Sequence, residues 1–133
     1  MPLAYPPFKS CPCGTGRSYA HCCGPAHDGS RAAATPEALM RARYTAYALH
    51  LEAFVLNTWH PDTRPPQLRL EPGTRYTGLT VHDATGLEVE FTATLRQGTQ
   101  TVKVHERSVF TQLGGQWVYV DEVTPPSVEP AGA

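Results

Sequence analysis

The chain has 133 residues, 41% apolar and 17% charged, with a formal net charge of −1, which fits one ordinary domain and a small appendage. The near-neutral charge argues against a polyanion partner bound by bulk electrostatics. Met1 to Pro7 lack the basic start and apolar run of a secretory signal, and no stretch approaches the ~18–20 apolar residues of a membrane span, so a cytoplasmic protein is expected.

Residues 1–7 read as a disordered tail. Residues 8–25 contain every cysteine of the protein, Cys11, Cys13, Cys22 and Cys23, spaced C-x-C-x8-C-C. A disulfide knot, a redox-active thiol cluster and one tetrahedral metal site compete to explain them. Spacing and context favour the metal. Pro12 and Gly14 bend the first pair into one turn, Gly16 loosens the return, and a short helical turn over Tyr19 to Cys23 brings back the second pair. A Cys22–Cys23 disulfide would close a strained ring, and nothing in the chain indicates an oxidising compartment. Zinc takes four thiolate or imidazole ligands at about 2.0–2.3 Å, and a site closed by four protein ligands is structural.

The run Cys11-Pro12-Cys13-Gly14-x-Gly16, then Tyr19, then Cys22-Cys23, resembles the SEC-C motif. That zinc-binding module lies at the C-terminus of the SecA translocation ATPase and is attached to many other bacterial proteins. The resemblance implies Cys11, Cys13, Cys22 and Cys23 as ligands of a structural Zn2+, with Thr15 where the motif usually has Ser. His21 competes as a ligand, because the SecA form ends in His; its plainer role is a solvent-exposed residue beside the site.

Residues 26–34 read as a linker, with His27 a surface residue. The charge changes near its end: residues 1–31 carry Lys9, Arg17 and Arg31 against Asp28, a net of +2, which leaves −3 for the remainder. Thr35-Pro36-Glu37 starts a helix, with Thr as cap, Pro at the first helical position and Glu where the dipole favours an anion. It runs to Leu49. Leu39, Ala42, Ala46 and Leu49 form one apolar stripe, and Met40, Tyr44 and Tyr47 a second. Arg41 points away from the first stripe and Arg43 lies at its edge. A break near His50 precedes a second helical piece, Leu51 to Trp59, which His60-Pro61 ends.

After a loop at 61–66 the period switches to two. Five strands are expected: Gln67–Glu71, Tyr76–Asp83, Leu87–Arg96, Thr99–Gln112 and Gln116–Asp121, joined by short turns into an antiparallel meander. Residues 124–133 read as a disordered tail. Residues 35–123 therefore form an α+β domain, with helices packed in a curved antiparallel sheet. One helix cannot cover both faces of such a sheet. The sheet must curl into a cone around a cavity, or pair with a second copy.

Thr99–Gln112 breaks the apolar alternation. Val102, Val104, Glu106, Ser108 and Phe110 share a face if the strand is regular, which puts a carboxylate and a hydroxyl inside. A β-bulge at Glu106–Arg107 would instead turn them outward. Arg43, Tyr47, Trp59, His60, Glu106 and Ser108 are the cavity candidates. His60 has a competing role at a helix end, where the dipole favours its cation. His82 faces either cavity or water, and His105 lies on the outer face. His60 with Glu106, or Glu90 with His105, would supply an acid and a base, but neither spacing is a known catalytic signature. No phosphate loop, nucleophile elbow or dinucleotide fingerprint is present.

Thr35-Pro36-Glu37-Ala38-Leu39-Met40-Arg41-x-Arg43-Tyr44-x-Ala46-Tyr47, Thr58-Trp59-His60-Pro61, His105-Glu106-x-Ser108-x-Phe110 and Gly115-x-Trp117-x-Tyr119-x-Asp121 resemble the YchJ family of uncharacterised bacterial proteins. The resemblance implies an N-terminal SEC-C motif and a body similar to the nuclear transport factor 2-like, SnoaL-like cone. Some members carry a second SEC-C motif; here no cysteine follows Cys23. The fold hosts enzymes and binders alike. Two functions are therefore expected in order. The first is a non-enzymatic adaptor whose knuckle docks on a protein partner, by analogy at the ribosome or secretion machinery, and whose cone binds a small ligand or forms a homodimer. The second is a small-molecule enzyme of isomerase or dehydratase type. Nucleic acid is not expected, since Lys9, Arg17 and Arg31 make a poor phosphate track.

Overall fold

The computed structural model describes residues 5–123 and 127–130. Its main helix starts where Thr35 predicts: the cap residue is extended, and its hydroxyl oxygen accepts the N–H of Ala38 at 3.0 Å. The elements in chain order are a 3-10 turn at Tyr19–His21, α1 (Gly24–Asp28), α2 (Pro36–Ala48), α3 (Glu52–Asn57), β1 (Thr74–Thr85), β2 (Glu88–Gln97), β3 (Gln100–Leu113), β4 (Gln116–Glu122) and β5 (Ser127–Pro130). The break between α2 and α3 falls at His50, whose φ of +60° is a left-handed conformation uncommon outside glycine.

All strand pairs are antiparallel, in the order β1-β2-β3-β4, with β5 also on β3. The β2–β3 register runs unbroken from Glu88↔Val109 to Gln97↔Gln100. There is thus no bulge at Glu106–Arg107, and Glu106 and Ser108 stay on the face of Val104 and Phe110. The register shift falls three residues later, on the β4 side, between Val109 and Phe110.

Three expectations are corrected. Gln67–Glu71 forms no strand; Pro66 and Pro72 bracket it directly, and its Leu70 N–H donates to Glu52 Oε2 at 3.0 Å instead of to a ladder. Part of the C-terminal tail is a strand. β4 pairs only with the 108–113 half of β3, so the edge at 102–105 is open, and β5 occupies it. The expectation for 124–126, 131–133 and 1–4 lies outside the described residues. Residues 5–7 are tied to the knuckle: Ala20 N–H donates to the Pro7 carbonyl at 3.0 Å and Tyr5 Oη to the Ser10 carbonyl at 2.6 Å. The third correction concerns residues 26–34, which begin inside α1 rather than as a free linker.

The helices pack on one face of the sheet. Leu39 and Met40 of α2 bury against Val89, Phe110 and Tyr119. Each such side chain contributes about 2 kcal/mol when fully withdrawn from water. Among the described residues, no helix is long and apolar enough to cross a membrane.

Candidate metal centre and cavity

Backbone geometry builds the cysteine cluster. Cys11 N–H donates to the Arg17 carbonyl at 2.8 Å and Tyr19 N–H to the Lys9 carbonyl at 2.8 Å, which closes the loop that holds the first pair. Gly14, at φ +86°, makes the turn that a side chain would strain. The 3-10 turn then returns the chain to Cys22 and Cys23. Gly24 is needed for close approach, because a Cβ there would lie 2.8 Å from the Tyr19 carbonyl oxygen.

The four sulfur atoms lie within 4.8 Å of one another, and no disulfide joins them. Cys13 Sγ and Cys22 Sγ are 3.4 Å apart. A tetrahedron with metal–sulfur bonds of about 2.3 Å has edges of about 3.8 Å, so the four thiols fit one ion as a closed set. Four adjacent thiols cannot all ionise without a cation. The hydrogen bond with Cys11 pushes Cys13 up to about 11, bonds with Cys11 and Cys13 push Cys23 up as well, and donation from Cys13 and Cys23 holds Cys11 down. A bound cation replaces those protons and removes the conflict. His21 is not part of the cluster; its Nδ1 lies 2.9 Å from Ser18 Oγ at the surface.

The centre is built into the body. Cys11, Cys13 and Cys23 are buried in one cluster with Ala42 and Tyr44 of α2 and Ala93 of β2. Thr45 Oγ1 donates to Cys23 Sγ at 3.4 Å, and Arg41 Nη1 donates to the Cys13 carbonyl at 2.8 Å. His27 is a clasp rather than a surface residue. Its Nε2 donates to the Ala42 carbonyl at 2.8 Å, so Nδ1 of the neutral ring accepts from Tyr19 Oη at 2.6 Å. Burial pulls the His27 pKa down and pushes Tyr19 up to about 12. Bonds of this kind around a metal orient its ligands. The sequence pattern did not mark Thr45, Arg41 or His27; an (i, i+4) pair of polar residues at 41 and 45 beside Ala42 was the one available sign.

The second stripe of α2 roofs a cavity of about 330 Å³ over the inner face of the sheet. Arg43, Tyr47, Trp59, Glu106 and Ser108 line it, joined by Tyr44, Tyr76, Tyr119 and Glu122. Arg43 is only 6% exposed. Its Nη1 donates to the Val55 carbonyl and Thr58 Oγ1, both at 2.8 Å, and its Cζ lies 5.0 Å from the Trp59 ring centroid and 4.6 Å from that of Tyr119. A cation between two aromatic faces keeps its charge partly compensated without an anion. None of the ion pairs among the described residues involves Arg43. Ser108 Oγ donates to Glu106 Oε2 at 2.5 Å, and burial raises the Glu106 pKa. Burial pushes Tyr44 and Tyr76 up to about 12.

His60 does not reach this cavity. Residues 58–60 run beside β4: Tyr119 N–H donates to the Thr58 carbonyl and His60 N–H to the Tyr119 carbonyl, both at 2.8 Å. Consecutive residues of an extended segment face opposite ways, and Trp59 takes the inner side. His60 Nδ1 accepts the N–H of Asp62 at 3.0 Å. The pairing of His60 with Glu106 is therefore not formed. Glu90 and His105 do meet, at 2.7 Å, but on the outer face, where Arg107 also bonds Glu88, Glu90 and Asp83. His82 is on that face too, 2.7 Å from Thr92 Oγ1.

The architecture is thus a cysteine knuckle fused to a mixed helix and antiparallel sheet body whose cavity mixes apolar and polar side chains. The chain belongs to the YchJ-like family. A family model described as the YchJ middle NTF2-like domain matches residues 35–122, and a SEC-C motif model matches residues 9–25. A UPF0225 protein of Deinococcus radiodurans is 58% identical over 121 residues, covering 90% of this chain and 93% of the relative. One from Streptomyces coelicolor is 45% identical, covering 86% and 95%. Among solved structures, a SEC-C motif containing protein from Rhodopseudomonas palustris aligns with a TM-score of 0.74 at 35% identity, over 84% of this chain and 95% of that one. Another from Psychrobacter arcticus gives 0.70 at 26% identity, over 91% and 85%.

Proposed function

We propose that the protein is a non-enzymatic adaptor, braced by a structural zinc at Cys11, Cys13, Cys22 and Cys23, whose cone cavity holds a small ligand. All-thiolate tetrahedral donors suit zinc, and a reducing cytoplasm keeps them available. One observation carries the reading: α2 touches the metal centre through Arg41, Ala42 and Thr45 and the cavity through Arg43, Tyr44 and Tyr47. The metal would fix the helix that roofs the binding site. The knuckle's outer rim, where Phe8 is 82% exposed beside Lys9, is the surface a protein partner would meet. Metal analysis of the purified protein should give about one zinc per chain. A small-molecule screen on the zinc-loaded protein, read by shifts of cavity-residue resonances, should give binders that are not turned over. A screen without any cavity binder would overturn the reading.

A second reading, an isomerase or dehydratase, is supported by Glu106, a half-buried carboxyl of raised pKa bonded to Ser108 in the cavity. It predicts that a cavity-bound carbonyl compound exchanges its α-hydrogens with deuterated solvent, and that Glu106→Gln abolishes the exchange. Absence of exchange in the unmodified protein rejects it.

A further inference from the structure

The cavity has more donors than its own residues satisfy. Trp59 Nε1 and Tyr44 Oη are buried without a protein hydrogen-bond partner among the described residues. A buried donor left unpaired costs about 1–3 kcal/mol, so two in one cavity call for an acceptor brought from outside. Arg43 adds a full positive charge beside one of them, since its guanidinium stacks 5.0 Å from the Trp59 ring centroid. The protein's own anions do not cancel it. Glu106 is engaged by Ser108, lies outside ion-pairing distance of the guanidinium, and is pushed by burial toward its neutral form. Glu122 sits at the exposed rim, 3.5 Å from Tyr119 Oη. Opposite the roof, the floor is apolar: Phe91, Leu95 and Val104.

We propose that the cavity takes a small carboxylic acid with an apolar body, its carboxylate seated against Arg43 and Trp59 Nε1 and its body on the Phe91, Leu95 and Val104 floor. This rests on the ligand-binding reading above and deepens it. A carboxylate supplies the acceptor that Trp59 Nε1 lacks and the missing negative charge together, in a planar form that suits a guanidinium. A neutral amide of the same shape supplies one oxygen and no charge.

The test uses the zinc-loaded protein with two pairs of probes, phenylacetate with phenylacetamide and hexanoate with hexanamide. Binding is followed through the indole N–H resonances. Trp59 reports the cavity, and Trp117, whose Nε1 donates to the Ala34 carbonyl at 3.2 Å, is the internal control. The acids should bind about tenfold to hundredfold more tightly than their amides, and should move the Trp59 signal while Trp117 stays still. Arg43→Met should bring the acids down to the affinity of the amides. Because Arg43 also holds the Val55 carbonyl, Trp59→Phe, titrated by calorimetry since it lacks the reporting indole, provides a second arm that keeps the wall and removes one donor; it should weaken the acids severalfold and the amides less. Amides that bind the cavity as tightly as acids would overturn the carboxylate class and leave the binding reading standing. If neither acids nor amides move Trp59 at millimolar concentration, both are overturned.

Discussion

The cysteine cluster and the cavity lie on neighbouring stripes of one helix and treat polar groups in opposite ways. Around the cysteines, Thr15, Thr45, Arg41 and His27 each bond to a thiol, to the knuckle's backbone or to the helix backbone. Around the cavity, a buried cation makes no ion pair and two donors have no protein partner among the described residues. A site closed and satisfied from within holds a structure together. A site left incomplete within an otherwise packed interior has room and chemistry for something else.

This contrast predicts a graded series of mutational effects. The largest is Cys23→Ser, which should lose the metal and cost about 4 kcal/mol or more in denaturant unfolding, with the body destabilised along with the knuckle. A variant that binds metal with unchanged stability would break the contrast at its strong end. Next is His27→Ala, which removes both halves of the clasp between Tyr19 and Ala42 and should cost about 1–3 kcal/mol by the same measurement.

Glu106 gives a pH-dependent effect. Its folded-state pKa is raised above the ordinary 4.5, so over the window between them the folded protein keeps a proton that the unfolded chain has released. Stability from this group is full below 4.5 and is lost as pH rises through the raised value. Glu106→Gln removes that slope, so the variant should gain on the wild type as pH rises through the window and then level off. Melting curves across pH test this, and a constant difference would contradict it. The smallest effect is Trp59→Phe. Its indole N–H is unpaired, so stability should change by no more than about 1 kcal/mol, whereas a loss like that of His27→Ala would mean the cavity is satisfied from within.

The sequence made the local features legible where one residue type carries a strong physical requirement. The four cysteines, the Thr35-Pro36 start of α2 and the alternation that sets β2 and β3 all appear where the pattern puts them. Glu106 was marked as a cavity residue because it interrupts an apolar stripe, and Arg43 because it lies at the edge of one. His60 was misplaced because its orientation depends on residues 58–60 pairing with β4, a contact between segments sixty residues apart. β5 was missed for a similar reason, since only the length mismatch between β3 and β4 creates the edge it fills. The fusion of knuckle and body was also hidden. A linker composition at 26–34 suggested two units, but Ala42, with its small side chain and its carbonyl bonded to His27, lets α2 pack directly on the cysteines.

The claim that one helix serves both sites is tested most directly by hydrogen exchange on the zinc-loaded protein before and after chelation. The account predicts that the amides of Thr45 and Ala46 lose protection together with that of Cys11, which is bonded to the Arg17 carbonyl, and that the Trp59 indole resonance shifts at the same time. Loss of protection confined to residues 8–25, with α2 and Trp59 unchanged, would contradict it.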